Sequence, residues 1–241
     1  MNYITPEVNN YHIRCSLTAY PGVGKSYTSL LLATRLVDLL TLKGQASGKG
    51  ILLIDSEFGC SRVYANDFQF MQEIITNNHP NNWVRAINEA SEYGFDAIIL
   101  DSLSQAWIGD NGGYDLANSQ GNGKITFSVW AKIAPLLREI MNAIKKSKCK
   151  IIIATLLEKA SYAIESDDDD RMFSIEKEKS INSVFKKETL EAAFDIMLHL
   201  KRYKTPNPSK IAIIKSRLSA LNGIEFDMNC ELLAALMQIW L

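Results

Sequence analysis

The stretch Ala19-Tyr20-Pro21-Gly22-Val23-Gly24-Lys25-Ser26 follows an apolar run and opens a long amphipathic segment. It reads as a cradle for nucleotide phosphates. The usual spacing is Gly, four residues, then Gly-Lys-Ser/Thr; Gly24-Lys25-Ser26 fit it, and Ala19 stands where the first glycine belongs. In such a loop successive backbone N–H groups point inward and the following helix N-terminus adds positive potential, so an anionic polyphosphate is held largely by main chain. The binding set is Pro21, Gly22, Val23, Gly24, Lys25, Ser26 and Tyr27. Within it Lys25 is placed to reach the β and γ phosphates of ATP, and the Ser26 hydroxyl to ligate Mg²⁺.

The flanks agree with that reading. His12 to Thr18 alternates polar and apolar residues as a strand does, and Leu30, Leu31, Ala33, Thr34, Val37 and Leu40 fall at helical spacing. Strand, loop and helix come in the required order.

Ile51-Leu52-Leu53-Ile54-Asp55-Ser56-Glu57 is an apolar run ending in acids, the pattern of a parallel strand buried on both faces. Its carboxyl end belongs at the ligand edge of the sheet, which puts Glu57 near the phosphates. Phe95 to Ser102 repeats the pattern, with Asp101 placed to support Mg²⁺ from the strand end. Cys149 to Thr155 is a third such strand, expected to end at Thr155.

Between these strands the expectations are mixed. Residues 60–80 are ambiguous, with a possible helix from Val63 to Thr76. Asn82 to Tyr93 reads as a helix stopped by Gly94. The Gly- and Asn-rich stretch 108–124 is expected to be a long loop, followed by a helix from about Ile125 to Lys146 with one apolar stripe. From Glu158 to Lys187 the chain is strongly charged, and its run Asp167-Asp168-Asp169-Asp170 is expected in a solvated loop. Phe194, Ile196, Leu198 and Leu200 alternate with polar residues as in a strand with one wetter face, and Ile211 to Arg217 is its hairpin partner. Glu231 to Trp240 closes as a short helix.

Composition narrows the class. With 241 residues and 47% hydrophobic content, the chain can bury a sizeable core, and a single α/β domain over residues 1–241 is expected. The formal net charge of −1 offers no global basic excess for nucleic acid. Cys15, Cys60, Cys149 and Cys230 are scattered, which argues against structural zinc and for reduced thiols. No secretory leader pattern and no run of about 18 apolar residues is present, so a soluble, cytoplasmic protein is expected. A GTPase lacks its Asn-Lys-x-Asp motif here, an ABC ATPase its Leu-Ser-Gly-Gly, and a small-molecule kinase an evident basic lid.

Taken together, the cradle, Leu53-Ile54-Asp55-Ser56-Glu57, Leu100-Asp101-Ser102 through Trp107, and Lys215-Ser216-Arg217 resemble the RecA-like ATPases from about residue 12 to residue 227. The similarity is strongest to the short phage-encoded group of annealing and recombination ATPases. It implies a three-layer P-loop NTPase with a mostly parallel central sheet and a C-terminal antiparallel hairpin. It implies Mg²⁺-dependent ATP hydrolysis in which Glu57 polarises the attacking water and Asp101 supports the metal. Lys215 and Arg217 would reach the γ-phosphate of a neighbouring subunit, so a homo-oligomeric ring or filament is expected, acting on single-stranded DNA, with a phage or host recombination protein as a further partner. The aspartates after Thr155 depart from the pattern, since they lie where such proteins carry a DNA-contacting loop and would repel phosphates. The competing reading is a nucleotide-binding regulatory module that controls assembly with a protein partner.

Overall fold

The computed structural model describes residues 12–123, 125–165, 174–183, 187–201, 210–227 and 229–237. In chain order the elements are β1 (Ile13–Ala19), α1 (Lys25–Leu42), β2 (Ile51–Asp55), β3 (Met71–Ile74), α2 (Pro80–Tyr93), β4 (Ala97–Asp101), α3 (Gln105–Ile108), α4 (Gly113–Gln120) and α5 (Phe127–Lys146). They continue with β5 (Ile151–Glu165), β6 (Ser174–Ser183), α6 (Lys187–Ala193), β7 (Ile196–Lys201), β8 (Lys210–Ser216), β9 (Glu225–Asp227) and α7 (Cys230–Met237).

The strands form one sheet in the order β3-β2-β4-β5-β1-β7-β8-β9, with β6 paired to β5 off this path. From β3 to β7 all neighbours run parallel; β8 and β9 then add antiparallel, giving the expected hairpin. Every residue of β1, β2 and β4 is buried, because helices cover both faces of the parallel strands. One apolar cluster joins α1 and α7 to Ile13, Cys15, Leu17, Leu53 and Ile153. The other joins α2 and α5 to Ile54, Ile98, Leu100, Ile152 and Ala154. Alternate residues of β2, β4 and β5 thus feed opposite cores, and the result is three layers. No helix among the described residues is long and apolar enough to cross a membrane.

Local chemistry explains the helix ends. Gly94 stops α2 in the left-handed conformation at φ +89°, and its N–H bonds the Ala90 carbonyl. Thr126 caps α5 through its side chain and the Val129 amide. At the other end of α5 the buried Arg14 guanidinium donates to the carbonyls of Ile144 (2.7 Å), Ser147 (2.7 Å) and Cys149 (3.0 Å). A cation at a helix C-terminus meets the negative end of the dipole, so this contact ties α5 to the start of β1.

Several expectations fail. The helix expected from Val63 to Thr76 is absent: Cys60–Tyr64 make a 3₁₀ turn, and β3 follows as an edge strand beside β2. The stretch 108–124 is not a bare loop, since α4 forms within it and buries Gly113 and Ala117. An added Cβ at Gly113 would meet the Trp107 ring at 2.5 Å, so glycine there lets the helix pack close. β5 does not stop at Thr155 but runs to Glu165 and pairs antiparallel with β6 from Glu158↔Ser183 outward. The charged segment is therefore partly a two-stranded ribbon, and its Asp167–Asp170 run lies outside the described residues. The polar face of β7 is drier than expected: Met197 and His199 are each 7% exposed, the His199 ring bonding the Glu158 carboxylate at 2.8 Å, while Lys201 at the strand end is partly exposed.

Candidate nucleotide site

β1 delivers the chain to the carboxyl edge of the sheet. Ala19 is its last residue, fully buried and paired with Leu157. A strand position needs no positive φ, so alanine serves where the usual pattern has glycine. Gly22 and Gly24 do need that freedom, at φ +76° and +99°, and nothing lies within 4 Å of where either Cβ would stand. α1 then starts at Lys25 with no side-chain cap and no acidic residue in its first turn. Its leading amides thus face the loop as donors for an anion. Lys25 is buried, and its Nζ donates to the Tyr20 carbonyl at 3.2 Å.

The acids arrive from β2 and β4, which pair Asp55↔Asp101 at their ends. Asp101 is 5% exposed. Its carboxylate accepts hydrogen bonds from Thr155 Oγ1 at 2.5 Å and from the Ser26 hydroxyl. Burial pushes its proton affinity up and these two hydroxyls pull it back. The peptide bond from Asp101 to Ser102 is cis. Thr155 was expected only as a strand end; the structure makes it a donor to the acid that the sequence singles out.

Asp55 has a different task from its neighbours. One of its oxygens accepts from the amides of Glu57 (2.7 Å) and Gly59 (3.2 Å), the other from Ser61 Oγ (2.5 Å) and Gln72 Nε2 (2.9 Å). It is fully engaged in shaping the turn that carries Glu57. The Asp-x-Glu-x-Gly spacing is the signal of such a turn, because an Asp side chain bonds the amide two residues on. Glu57 itself is half-buried. Its carboxyl is raised by burial first and by the Asp101 charge next, with Lys25 opposing. Burial in turn lowers the proton affinity of Lys25, while Asp101 and Glu57 raise it. Lys25, Glu57 and Asp101 therefore share one electrostatic site.

Beside the cradle stands an aromatic group that the sequence reading missed apart from Tyr27. The Tyr27 ring meets Phe68 edge-on at 5.2 Å and Tyr64 at 5.8 Å. Tyr27 is 38% exposed, on the first turn of α1. No periodicity marks Tyr64 or Phe68, which reach it from an irregular stretch.

Lys215 and Arg217 are not brought to this site. β8 is antiparallel to β7, so Ser216 pairs with Ile196, which is level with Cys15 near the start of β1. The pair therefore lies at the sheet edge opposite the cradle. Lys215 Nζ donates to the Glu191 carbonyl at 2.9 Å and to the Phe194 carbonyl, and Arg217 Nε donates to the Asp195 carboxylate.

Fold and site together define a RecA-like P-loop ATPase. The chain belongs to the AAA domain family, which matches residues 12–219. Among solved structures it is similar to a RadB recombinase, with 14% identity and a TM-score of 0.50 over 92% of this chain and 90% of that one. At that identity the likeness is one of fold. No curated protein matches the sequence.

Proposed function

We propose that the protein is an Mg²⁺-dependent ATPase, one domain over residues 1–241, that assembles head to tail and acts on DNA in phage-type recombination, single-strand annealing or replication. The observation that carries the ATPase reading is the convergence of Lys25, Ser26, Asp101 and Glu57 on one sheet edge, with mutual electrostatic perturbation of the three ionisable groups. Lys25 and the first amides of α1 bind the β and γ phosphates. Ser26 and Asp101 suit a hard divalent cation: both offer oxygen donors, one of them a buried carboxylate on which Lys25 acts. Ser26 and Asp101 would hold Mg²⁺, whose charge would offset the negative charge developing on the phosphates. Glu57, with its raised proton affinity, orients the attacking water and accepts its proton. Tyr27 and Tyr64 offer ring surface to the base.

Trans activation is supported by where Arg217 lies. Arg217 sits at the sheet edge opposite the cradle, where a neighbour stacked head to tail would take it to its γ-phosphate, a contact worth about 10³-fold or more in rate. DNA as the object of the work rests on the RecA-like class and on the recombinase of similar fold. The test is ATP hydrolysis across a protein concentration series, with and without single-stranded DNA. Specific activity that rises with concentration and again with DNA is expected. A concentration-independent rate removes the trans step, and a rate indifferent to DNA moves the reading to a module that uses ATP to assemble with a protein partner.

A further inference from the structure

Asp195 holds Arg217 at both ends. Its carboxylate accepts from Arg217 Nε, and its carbonyl accepts the Arg217 backbone N–H at 3.0 Å. Asp195 is itself pinned to the first strand: its Oδ2 accepts the Arg14 amide at 2.9 Å and its own amide donates to the Arg14 carbonyl at 2.7 Å. The aspartate is 4% exposed, whereas the Arg217 side chain is 51% exposed. A buried carboxylate fixed on the central strand thus grips the inner nitrogen of a half-exposed arginine side chain. Gripping Nε fixes the plane of a guanidinium and the direction of its terminal nitrogens, which a lysine or an untethered arginine would not keep. The neighbouring Lys215 closes the C-terminal carbonyls of α6 and steadies the same strand end.

We propose that Asp195 is a positioning residue for the ATPase reaction: it aims Arg217 across the subunit interface at the γ-phosphate bound by the next copy of the chain. The proposal rests on the trans role of Arg217 given above. Asp195 touches no nucleotide and acts through Arg217. Because its anchor is β1, the strand that ends in the phosphate cradle, each subunit's arginine is referenced to the same rigid strand as its own site.

Asp195→Asn tests this sharply. Both aspartate oxygens accept from N–H donors, and an amide offers one oxygen, so one of the two contacts must be lost while the volume is kept. The variant is expected to bind nucleotide as the parent does and to turn over roughly 10- to 100-fold more slowly, the scale of a misaimed group. Mixing it with Lys25→Ala protein, which brings an intact arginine, should restore part of the activity. In an Arg217→Ala background the same substitution should change turnover by less than about twofold, since the group it acts through is gone.

Parental turnover in Asp195→Asn overturns the proposal. So does a further loss in the Arg217→Ala background, which is the mark of a structural role. If Lys25→Ala protein rescues Arg217→Ala but not Asp195→Asn, Asp195 does not act through the finger. If it rescues neither in proven co-assemblies, the trans reading falls and this role with it. Should Asp195→Asn lose nucleotide binding, Asp195→Glu, which keeps both acceptors but shifts them by one methylene, is read against the same outcomes.

Discussion

The Thr155 hydroxyl donates to the Asp101 carboxylate at 2.5 Å, linking the strand that carries the acid proposed to support the metal to its neighbour β5. β5 lies between β4 and β1, so Thr155 stands between that acid and the cradle. Thr155→Val keeps shape and removes the donor. A hydrogen bond to a charged group contributes about 1.5–3 kcal/mol, so the Mg²⁺ concentration needed for half-maximal nucleotide binding should rise roughly tenfold. Titration of a fluorescent ATP analogue at stepped Mg²⁺ reads this directly. An unchanged midpoint would make the contact incidental.

Glu57 carries a pH signature. Its carboxyl is raised above 4.5, chiefly by burial and then by Asp101, so the folded chain holds a proton that the unfolded chain releases. That contribution is fully present below 4.5 and is lost as pH rises through the folded value, leaving an ionised group at a penalty near neutrality. The nucleotide-free Glu57→Gln protein should therefore melt above the parent at pH 7, and the gap should close on acidification below 4.5. The same variant should bind ATP within about threefold of the parent and hydrolyse it at least 10²-fold more slowly. Thermal melts across pH and single-turnover assays check the two halves; normal turnover would remove Glu57 from the chemistry.

How far the sequence spoke depends on burial. β2 and β4 are covered on both faces, so each had to be written as a nearly unbroken apolar run, and the acids at their ends stood out, whereas β1 alternates and buries Arg14, Ser16 and Thr18 along with its apolar residues. β3 is an edge strand, with Met71 half-exposed and Gln72 and Glu73 part-buried, and such a strand carries no periodic signature. α4 owes its existence to tertiary packing on Trp107, which its Gly- and Asn-rich sequence does not announce. The dryness of β7 has the same kind of cause: His199 is polar, but Glu158, 41 positions away, pairs with its Nε2 in the interior. The contacts of Thr155 and Asp195 are likewise made between elements, which spacing along one element does not contain.

Gly113 gives a test of that packing. Its ordinary backbone would admit alanine, but the added Cβ would lie 2.5 Å and 2.8 Å from two carbons of the Trp107 ring, and 3.2 Å from Leu137. Trp107 is itself wedged edge-on against Trp130 at 4.8 Å, so it has little room to yield. Gly113→Ala should destabilise the protein by about 1–3 kcal/mol despite the better helix propensity of alanine. Denaturant unfolding followed by tryptophan fluorescence reports both the midpoint and the disturbed rings.

A Tyr64 substitution should separate base binding from phosphate binding. Phe68 is 9% exposed and belongs to the core, whereas Tyr27 and Tyr64 keep ring surface at the margin of the cradle. A base stacked on an aromatic ring contributes about 1–3 kcal/mol by alanine substitution, so Tyr64→Ala should weaken ATP binding roughly tenfold. Inorganic triphosphate engages only the loop and the first turn of α1, and its affinity should change by less than about twofold. Competition of each ligand against a fluorescent nucleotide measures both. If the two affinities fell together, Tyr64 would be holding Tyr27 and the loop in place through their edge contact at 5.8 Å, and recognition of the base would have to come from elsewhere on the sheet edge.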